Sequence, residues 1–234
     1  MARETIKITN GEWAPYLSQK LPHFGFASHV VKKAFDAVEV DVEYGFFPWK
    51  RSYKLAKTGD WNGTVVWVYT PQRAEFFYYS NEVIVDHEYL FHLKKFSLEW
   101  ENAQDLKGII IGGTLHTTYP VFEKAETQGL LTIERAGTYE NLYNRLLKQR
   151  INAIPQVSQV GSYLIRTTLT QEEQSLITFS PTIIETRKYS LILSKAVKKN
   201  KRFLELFNRG LSIIKNNGTY DQLYKNLEHG RYDK

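Results

Sequence analysis

The stretch Thr70-Pro71-Gln72-Arg73-Ala74-Glu75-Phe76-Phe77-Tyr78-Tyr79-Ser80 is the most informative part of the chain. It follows an apolar run at residues 64–69 that is typical of a buried strand, and it offers a turn and a proline suited to the first position of a helix. An arginine at the carboxyl end of a strand suits capture of a carboxylate, because its guanidinium is a permanently charged fork of donors. For Arg73 taken alone, a solvated surface arginine is the alternative.

The composition indicates a globular chain with a surplus of aromatic residues. Its 234 residues suffice for one large domain or two small ones, and 42% are hydrophobic and 24% charged. Five Trp, fifteen Tyr and thirteen Phe supply the core, and the surplus also suits a cleft that binds small molecules. We therefore expect a small-molecule ligand.

The charge pattern does not indicate a nucleic-acid partner. The net charge of +6 comes from 31 basic and 25 acidic residues that are spread along the chain. The densest basic run, residues 195–202, is interpreted as a solvated helix entry, with a phosphate-binding patch as the alternative.

Several kinds of site and segment are missing from the sequence. The chain contains no cysteine, which excludes disulfides, thiolate chemistry and Cys-based metal sites and leaves the compartment open. It has no apolar run of transmembrane length, and its first residues do not show the pattern expected of a signal peptide. Met1-Ala2-Arg3-Glu4 leads straight into a strand, which fits an export signal that has been trimmed. We expect no cofactor and no metal.

Strand and helix patterns alternate along the chain, which predicts a parallel sheet with right-handed crossovers. The same plan occurs twice, and two extended segments, 83–85 and 89–93, lie between the halves, with Asp86 and Glu88 at a turn. The predicted strands are 5–9, 40–44, 65–69, 108–112, 130–133, 153–157 and 189–193. The predicted helices are 27–37, one opened by Pro48 and closed by Gly59, one from Thr117 onward, 138–149, 200–216 and 219–226.

Five motifs stand in one order along nearly the whole chain. They are Trp13-Ala14-Pro15-Tyr16; Pro48-Trp49 through Leu55 with Gly59-Asp60-Trp61-Asn62; Thr70 to Ser80; Asp105-Leu106-Lys107-Gly108 with Thr117-Thr118; and Asn217-Gly218-Thr219-Tyr220-Asp221-Gln222-Leu223-Tyr224. In these motifs the chain resembles the bacterial extracellular solute-binding proteins of family 3, the periplasmic amino acid-binding components of ABC transporters.

The resemblance implies an α/β, two-lobed type II periplasmic-binding fold with a ligand cleft between the lobes, each lobe a mostly parallel sheet flanked by helices. Lobe 1 would comprise residues 1–87 and 188–234, lobe 2 residues 88–187, with hinge strands near 82–89 and 185–190. The implied partners are a small-molecule ligand and a membrane permease or a receptor. The implied state is a periplasmic monomer.

The resemblance also implies residue roles. Arg73 would bind a ligand carboxylate from lobe 1. Thr117 and Thr118, taken as the start of a helix, would meet the same carboxylate from lobe 2 with N–H groups and hydroxyls. Trp13 and Trp49 would sandwich the ligand side chain, with a purely structural role in the core as the alternative.

The chain departs from the family at the positions that bind an α-ammonium group. Val157 stands where the family has an aspartate, and a register slip of one residue would place the neutral Gln156 or Ser158 there. A buried ammonium without a counter-charge is costly. Val68 and Val66 replace hydroxyl residues before Thr70, and His116 replaces a glycine. Glu12 is one candidate for the missing negative charge. The predicted pocket keeps the arginine that binds a ligand carboxylate and is more apolar than the pocket of a standard amino acid-binding protein.

Three functions are compatible with this pocket. The first is a binding protein that closes around a small carboxylate-bearing ligand, an amino acid or a related metabolite, for an ABC-type uptake system. The second is a ligand-sensing input protein of the same fold. The third is an enzyme, which needs a general acid or base such as His116, Glu12 or Glu185; no recognisable catalytic set appears, so we expect no enzyme.

Overall fold

The computed structural model describes residues 3–115 and 117–233. By their internal contacts the residues divide into two compact units. The first unit runs to Val85 and resumes at Arg187, and the second runs from Asp86 to Thr186. Both divisions fall inside strands.

The elements alternate through the first unit as the periodicity of the sequence predicts. They are β1 (Glu4–Asn10), α1 (Phe26–Asp36), β2 (Val40–Phe46), α2 (Trp49–Thr58), β3 (Gly63–Trp67), α3 (Pro71–Ala74) and β4 (Phe77–Leu93). Strand β1 pairs in parallel with β2 and β3. Helix α2 follows Pro48 and ends at Gly59, which has φ +86, so both helix limits inferred from the sequence are confirmed.

The second unit holds β5 (Ile110–Thr114), α4 (Pro120–Thr127), β6 (Thr132–Ala136), α5 (Tyr139–Leu147), β7 (Ala153–Val157), α6 (Ser158–Thr168), α7 (Gln171–Ser175) and β8 (Ile177–Phe179). Strand β9 (Glu185–Ser194) leads back to the first unit, which ends with α8 (Asn200–Asn216) and α9 (Thr219–Glu228). Strand β7 and helix α8 have the predicted bounds, whereas α6, α7 and β8 were not predicted.

The sheet of each unit is mixed, with parallel strands at its centre. In the first unit the order is β2-β1-β3-β9-β4, and β9 runs antiparallel to β3. In the second it is β4-β7-β5-β6, where β5 is parallel to both neighbours and β4 is antiparallel to β7. The α/β class with mostly parallel sheets flanked by helices is confirmed.

Close helix packing holds the first unit's core. Helix α1 lies against α8, and Phe35 contacts Phe207 with ring centroids 5.1 Å apart. A Cβ on Gly210 would lie 1.9 Å from the carbonyl oxygen of Ala34, so the two backbones approach at a point that only glycine permits. The second unit buries its own clusters around Phe122 and Leu142.

Several predicted strand boundaries are wrong, including that of β3, which spans Gly63–Trp67 where 65–69 was predicted. The segments 83–85 and 89–93 belong to one continuous strand, β4, in which the acid expected at a turn, Asp86, is buried and accepts a hydrogen bond from the Ser158 hydroxyl. Strands β5 and β6 each begin two residues later than predicted.

Candidate functional site

Arg73 is fixed at the carboxyl edge of β3. The hydroxyl of Thr70 accepts a hydrogen bond from the Arg73 N–H at 3.2 Å, which caps the short helix α3. The Arg73 side chain is half-buried, and its Nη1 donates to the Val68 carbonyl at 3.0 Å. Its Cζ lies 4.9 Å from the ring centroid of Trp67. The guanidinium is therefore held by a hydrogen bond to the Val68 carbonyl, a cation–π contact with Trp67 and a hydrogen bond with the Tyr79 hydroxyl.

A bulge in β3 presents Trp67 to Arg73. Val66 has φ +68, a left-handed conformation that a β-branched residue rarely adopts, and the register with β9 shifts between Thr64 and Trp67. The Trp67 indole N–H donates to the Thr64 hydroxyl at 3.0 Å, which fixes the ring. Sequence reasoning placed this segment in a regular strand and missed Trp67, since a bulge has no periodic signal.

Val68 contributes its backbone to the Arg73 support. Its carbonyl accepts from Arg73 and, at 3.3 Å, from the hydroxyl of Tyr79. Burial raises the pKa of Tyr79, so the phenol stays neutral and can donate. The exposed Tyr69 lies 5.1 Å from the Tyr79 ring.

Trp49 continues the aromatic surface beside Arg73. Its ring lies directly on Gly11, where a Cβ would come within 2.3 Å of the indole carbons Cδ2 and Cε2. Its centroid is 5.6 Å from that of Trp67, with the rings at 83°. The structure therefore brings Trp49, Trp67 and Arg73 into one contiguous array at the ends of parallel strands, the edge where open α/β sheets bind ligands.

Trp13 lies in a different aromatic cluster. Its ring makes edge contacts with Tyr16 at 5.1 Å and with Tyr189 at 5.3 Å. The backbone N–H of Trp13 donates to the Leu17 carbonyl at 2.7 Å, which closes a turn. A sandwich of Trp13 and Trp49 about a ligand stays a prediction.

The helix expected at Thr117 begins at Pro120, so the prediction that Thr117 and Thr118 start a helix is wrong. A residue before proline is disfavoured in the helical region, and Tyr119 has φ −129 and ψ 70. The loop is held instead by hydrogen bonds: Thr114 Oγ1 donates to Thr117 Oγ1 at 2.6 Å, and Arg135 Nη1 donates to the Thr117 carbonyl at 2.8 Å. Both threonines are exposed, and His116 lies outside the described residues.

Arg135 was not predicted as a member of this region. Its Nη1 also donates to the Thr114 carbonyl at 2.9 Å, and its Nη2 pairs with Glu123 at 2.7 Å. Arg135 fixes the loop that carries Thr117 from the neighbouring strand β6.

Val157 is buried at the end of β7, and α6 begins at the next residue. Its N–H donates to the side-chain oxygen of Gln156 at 3.0 Å, while the Gln156 amide nitrogen is buried with no partner among the described residues. On the neighbouring strand Glu88 is its register partner. Position 157 therefore carries a buried apolar side chain, with polar residues next to it in sequence and in strand register.

Asp86 supplies the negative charge at the start of α6. Its Oδ1 accepts from the Ser158 hydroxyl at 2.5 Å, and its Oδ2 accepts from the Gln159 N–H at 3.3 Å. A carboxylate at a helix N-terminus satisfies unpaired N–H groups and the helix dipole. An acid within an apolar strand was the available sequence signal, but it was assigned to a turn.

Glu12 has a local role. Its Oε1 accepts from the Gln19 N–H at 3.0 Å, and the side chain is exposed. Within residues 3–115 and 117–233, no group of three His, Asp or Glu side chains is placed to hold a metal ion. No helix in this part of the chain is long and apolar enough to span a membrane.

The chain is similar to known proteins in fold and not in sequence. No protein-family model and no curated protein matches the chain. The second substrate-binding domain of a candidate amino acid ABC transporter from Streptococcus pneumoniae superposes with a TM-score of 0.76 at 17% identity, over 95% of this chain and 98% of that one. The chain has the type II periplasmic-binding-protein-like fold.

Two further solved structures share this fold. Substrate-binding domain 2 of GlnP from Lactococcus lactis, in an open conformation, has a TM-score of 0.73 at 17% identity over 94% of both chains. A histidine kinase sensor domain described as similar to periplasmic binding proteins has a TM-score of 0.67 at 15% identity, over 97% of this chain and 96% of that one. At such identities the comparisons establish the fold, and the ligand has to be inferred from the residues of the site.

Proposed function

We propose that the chain is a periplasmic solute-binding protein that binds a small carboxylate-bearing ligand through Arg73 for an ABC-type uptake system. The observation that carries this proposal is the fixed guanidinium at the carboxyl edge of β3. Nη1 donates to the Val68 carbonyl and Cζ lies 4.9 Å from the Trp67 ring centroid, while no carboxylate pairs with the guanidinium among the described residues. A preorganised charged fork of this kind suits two oxygens of one carboxylate.

The apolar part of the ligand would rest on Trp49. The indole is half-buried and rigidly supported by Gly11 and Trp67, so stacking on it costs little side-chain entropy. Trp13, Val68, Thr117, Thr118 and Val157 remain proposed ligand contacts. Because position 157 carries no charge, we expect the ligand to be a carboxylate without a free α-ammonium group.

The test is a thermal-shift screen of the purified protein against amino acids, small carboxylates and aromatic acids. We expect stabilisation by a carboxylate, lost in Arg73→Ala because a charge-assisted, bidentate contact is worth several kcal/mol and more than 100-fold in affinity. Unchanged stabilisation in Arg73→Ala would show that Arg73 is not the anchor. Micromolar binding of free α-amino acids would contradict the inference from Val157.

A second candidate is the input domain of a sensor, and the likeness to a histidine kinase sensor domain favours it. The residues that bind the ligand would be the same, and the partner would be a receptor. Co-purification with a permease after cross-linking supports transport, and recovery of a receptor supports sensing. We propose that the isolated chain is a monomer, which size-exclusion chromatography with light scattering measures.

A further inference from the structure

An exposed aromatic ring in the first unit, Phe76, carries a lysine ammonium on its face, and further lysines lie on the same helix and on the segment packed against it. We propose that these residues bind a membrane surface rich in anionic phospholipids. The lysine–aromatic patch consists of Lys54, Lys57, Phe76 and Lys195, and none of these residues belongs to the proposed ligand site.

Two ammonium groups of the patch lie beside aromatic rings. The Lys57 Nζ is 3.4 Å from the ring centroid of Phe76, whose side chain is 38% exposed. The Lys195 Nζ donates to the Ala74 carbonyl at 2.6 Å and lies 5.5 Å from the Tyr78 ring. The Phe76 ring is thus partly exposed to solvent with Lys57 on its face, and Lys195 is fixed nearby at the Ala74 carbonyl.

The fold joins two basic segments that are far apart in sequence. Helix α2 ends at Gly59, where a Cβ would lie 3.2 Å from both Ala196 Cβ and Val197 Cγ2. The Ser194 hydroxyl donates to the Lys57 carbonyl at 3.4 Å. The start of the basic run, residues 195–197, therefore packs against the carboxyl end of α2, which adds the charge of Lys195 to those of Lys54 and Lys57.

One face of α2 is a row of lysines. Lys50, Lys54 and Lys57 are spaced four and three residues apart, opposite the buried Ser52 and Ala56. No ion pair involves the four charged or aromatic members of the patch, within the part of the chain that the structure describes. Glu4 instead neutralises residues farther along the run, pairing with Arg202 and, at 3.7 Å, with Lys199.

The charge of the chain is concentrated in the first unit. This unit contains 22 of the 31 Lys and Arg and 13 of the 25 Asp and Glu, a net charge of +9. The second unit has the remaining nine basic and twelve acidic residues, a net charge of −3. An anionic surface would attract the first unit selectively.

The chemistry of the patch favours lipid headgroups over nucleic acid. All of its charged groups are lysines, whose stems lie along apolar surface and whose ammonium heads reach headgroup phosphates. An exposed aromatic ring beside them suits the boundary between headgroups and acyl chains. A nucleic-acid site would instead be expected to use arginine forks and several stacking rings.

The experiment is co-sedimentation of the full chain with vesicles. One set is phosphatidylcholine alone, and the other contains one-third phosphatidylglycerol, each at low and high salt. We expect binding to the anionic vesicles only, weakened by salt. Each lysine contributes about fivefold, so the triple variant Lys54→Gln, Lys57→Gln, Lys195→Gln should bind on the order of 100-fold more weakly. Phe76→Ser should weaken binding also at high salt.

A matched control carries Lys107→Gln, Lys124→Gln and Lys148→Gln, three exposed lysines of the second unit, and should bind like the unaltered chain. Failure to bind anionic vesicles, or an equal loss in the control, overturns the proposal. Equal competition by single-stranded DNA would identify a general polyanion surface and also overturn it. Preserved ligand-induced stabilisation in the patch variants shows that they are folded.

Discussion

Replacing Gly11 by alanine would test whether Trp49 forms part of the ligand site. The new Cβ would lie 2.3 Å from Cδ2 and Cε2 and 2.8 Å from Cε3 of Trp49. Carbon atoms in contact sit about 3.5–4 Å apart, so the indole has to move by roughly 1 Å or more. Because the ring also contacts Trp67, overpacking should lower the free energy of unfolding by about 1–3 kcal/mol.

The ligand affinity should fall as well. Loss of good stacking on one aromatic ring is worth about 1 kcal/mol, which is roughly a fivefold weaker complex. Urea unfolding measures the stability, and isothermal titration with the carboxylate found in the screen measures the affinity. Trp49→Phe, which shortens the ring without the clash, should show the same loss of affinity.

Gly45→Ala is the matched control. Its Cβ would lie 2.5 Å from Cη2 of Trp61 and 2.8 Å from Cε2 of Phe47, a comparable collision with a tryptophan outside the proposed site. It should destabilise the protein to a similar extent and leave the affinity unchanged. If both glycine variants bind the ligand equally well, or equally poorly, Trp49 is not a specific ligand contact and the reasoning is refuted.

Two further predictions concern stability. Gly210→Ala would place a Cβ 1.9 Å from the Ala34 carbonyl oxygen and should lower the free energy of unfolding by about 2–4 kcal/mol, as measured by urea unfolding. Ser212→Ala, an exposed position on the same helix, should change the stability little. Equal stability of the two variants would contradict the close approach of α1 and α8. Burial lowers the pKa of His29 from 6.5 to about 4, so between these values the unfolded chain binds a proton that the folded chain does not. The free energy of unfolding should therefore fall as the pH drops from 6.5 to 4. We expect a fall of about 2 kcal/mol, which is less than the full pKa shift corresponds to, because the His29 side chain is not completely buried. His29→Gln should flatten this dependence, and an unchanged slope would show that other groups cause it.

The elements of the fold follow from local patterns in the sequence. Helix α8 and strand β7 were predicted to the residue because their apolar periodicity and their glycine and asparagine neighbours are unambiguous. Helix α6 was missed because it starts without a break after β7 and takes its cap from Asp86, which lies far away in sequence. A cap supplied from another strand has no local signature.

The candidate site is only partly predictable, because only some of its contacts lie within one segment of the sequence. Arg73 could be identified from a strand end, a turn and a donor fork within one segment. Its supports could not, since the bulge at Val66 and the contact between Trp49 and Gly11 depend on how separate segments pack. The expected helix at Thr117 failed because Pro120 dictates the start and Arg135, on β6, holds the loop.

The two units differ in how they balance charge at their strand ends, and this difference bears on the ligand. In the first unit Arg73 is contacted by the Val68 carbonyl, the Tyr79 phenol and the Trp67 indole, none of which neutralises it, so a bound anion is the natural counter-charge. In the second unit the carboxylate of Asp86 is satisfied by Ser158 and by the N-terminus of α6. Within the first unit, a fixed cation that no carboxylate of the described residues neutralises favours an anionic ligand.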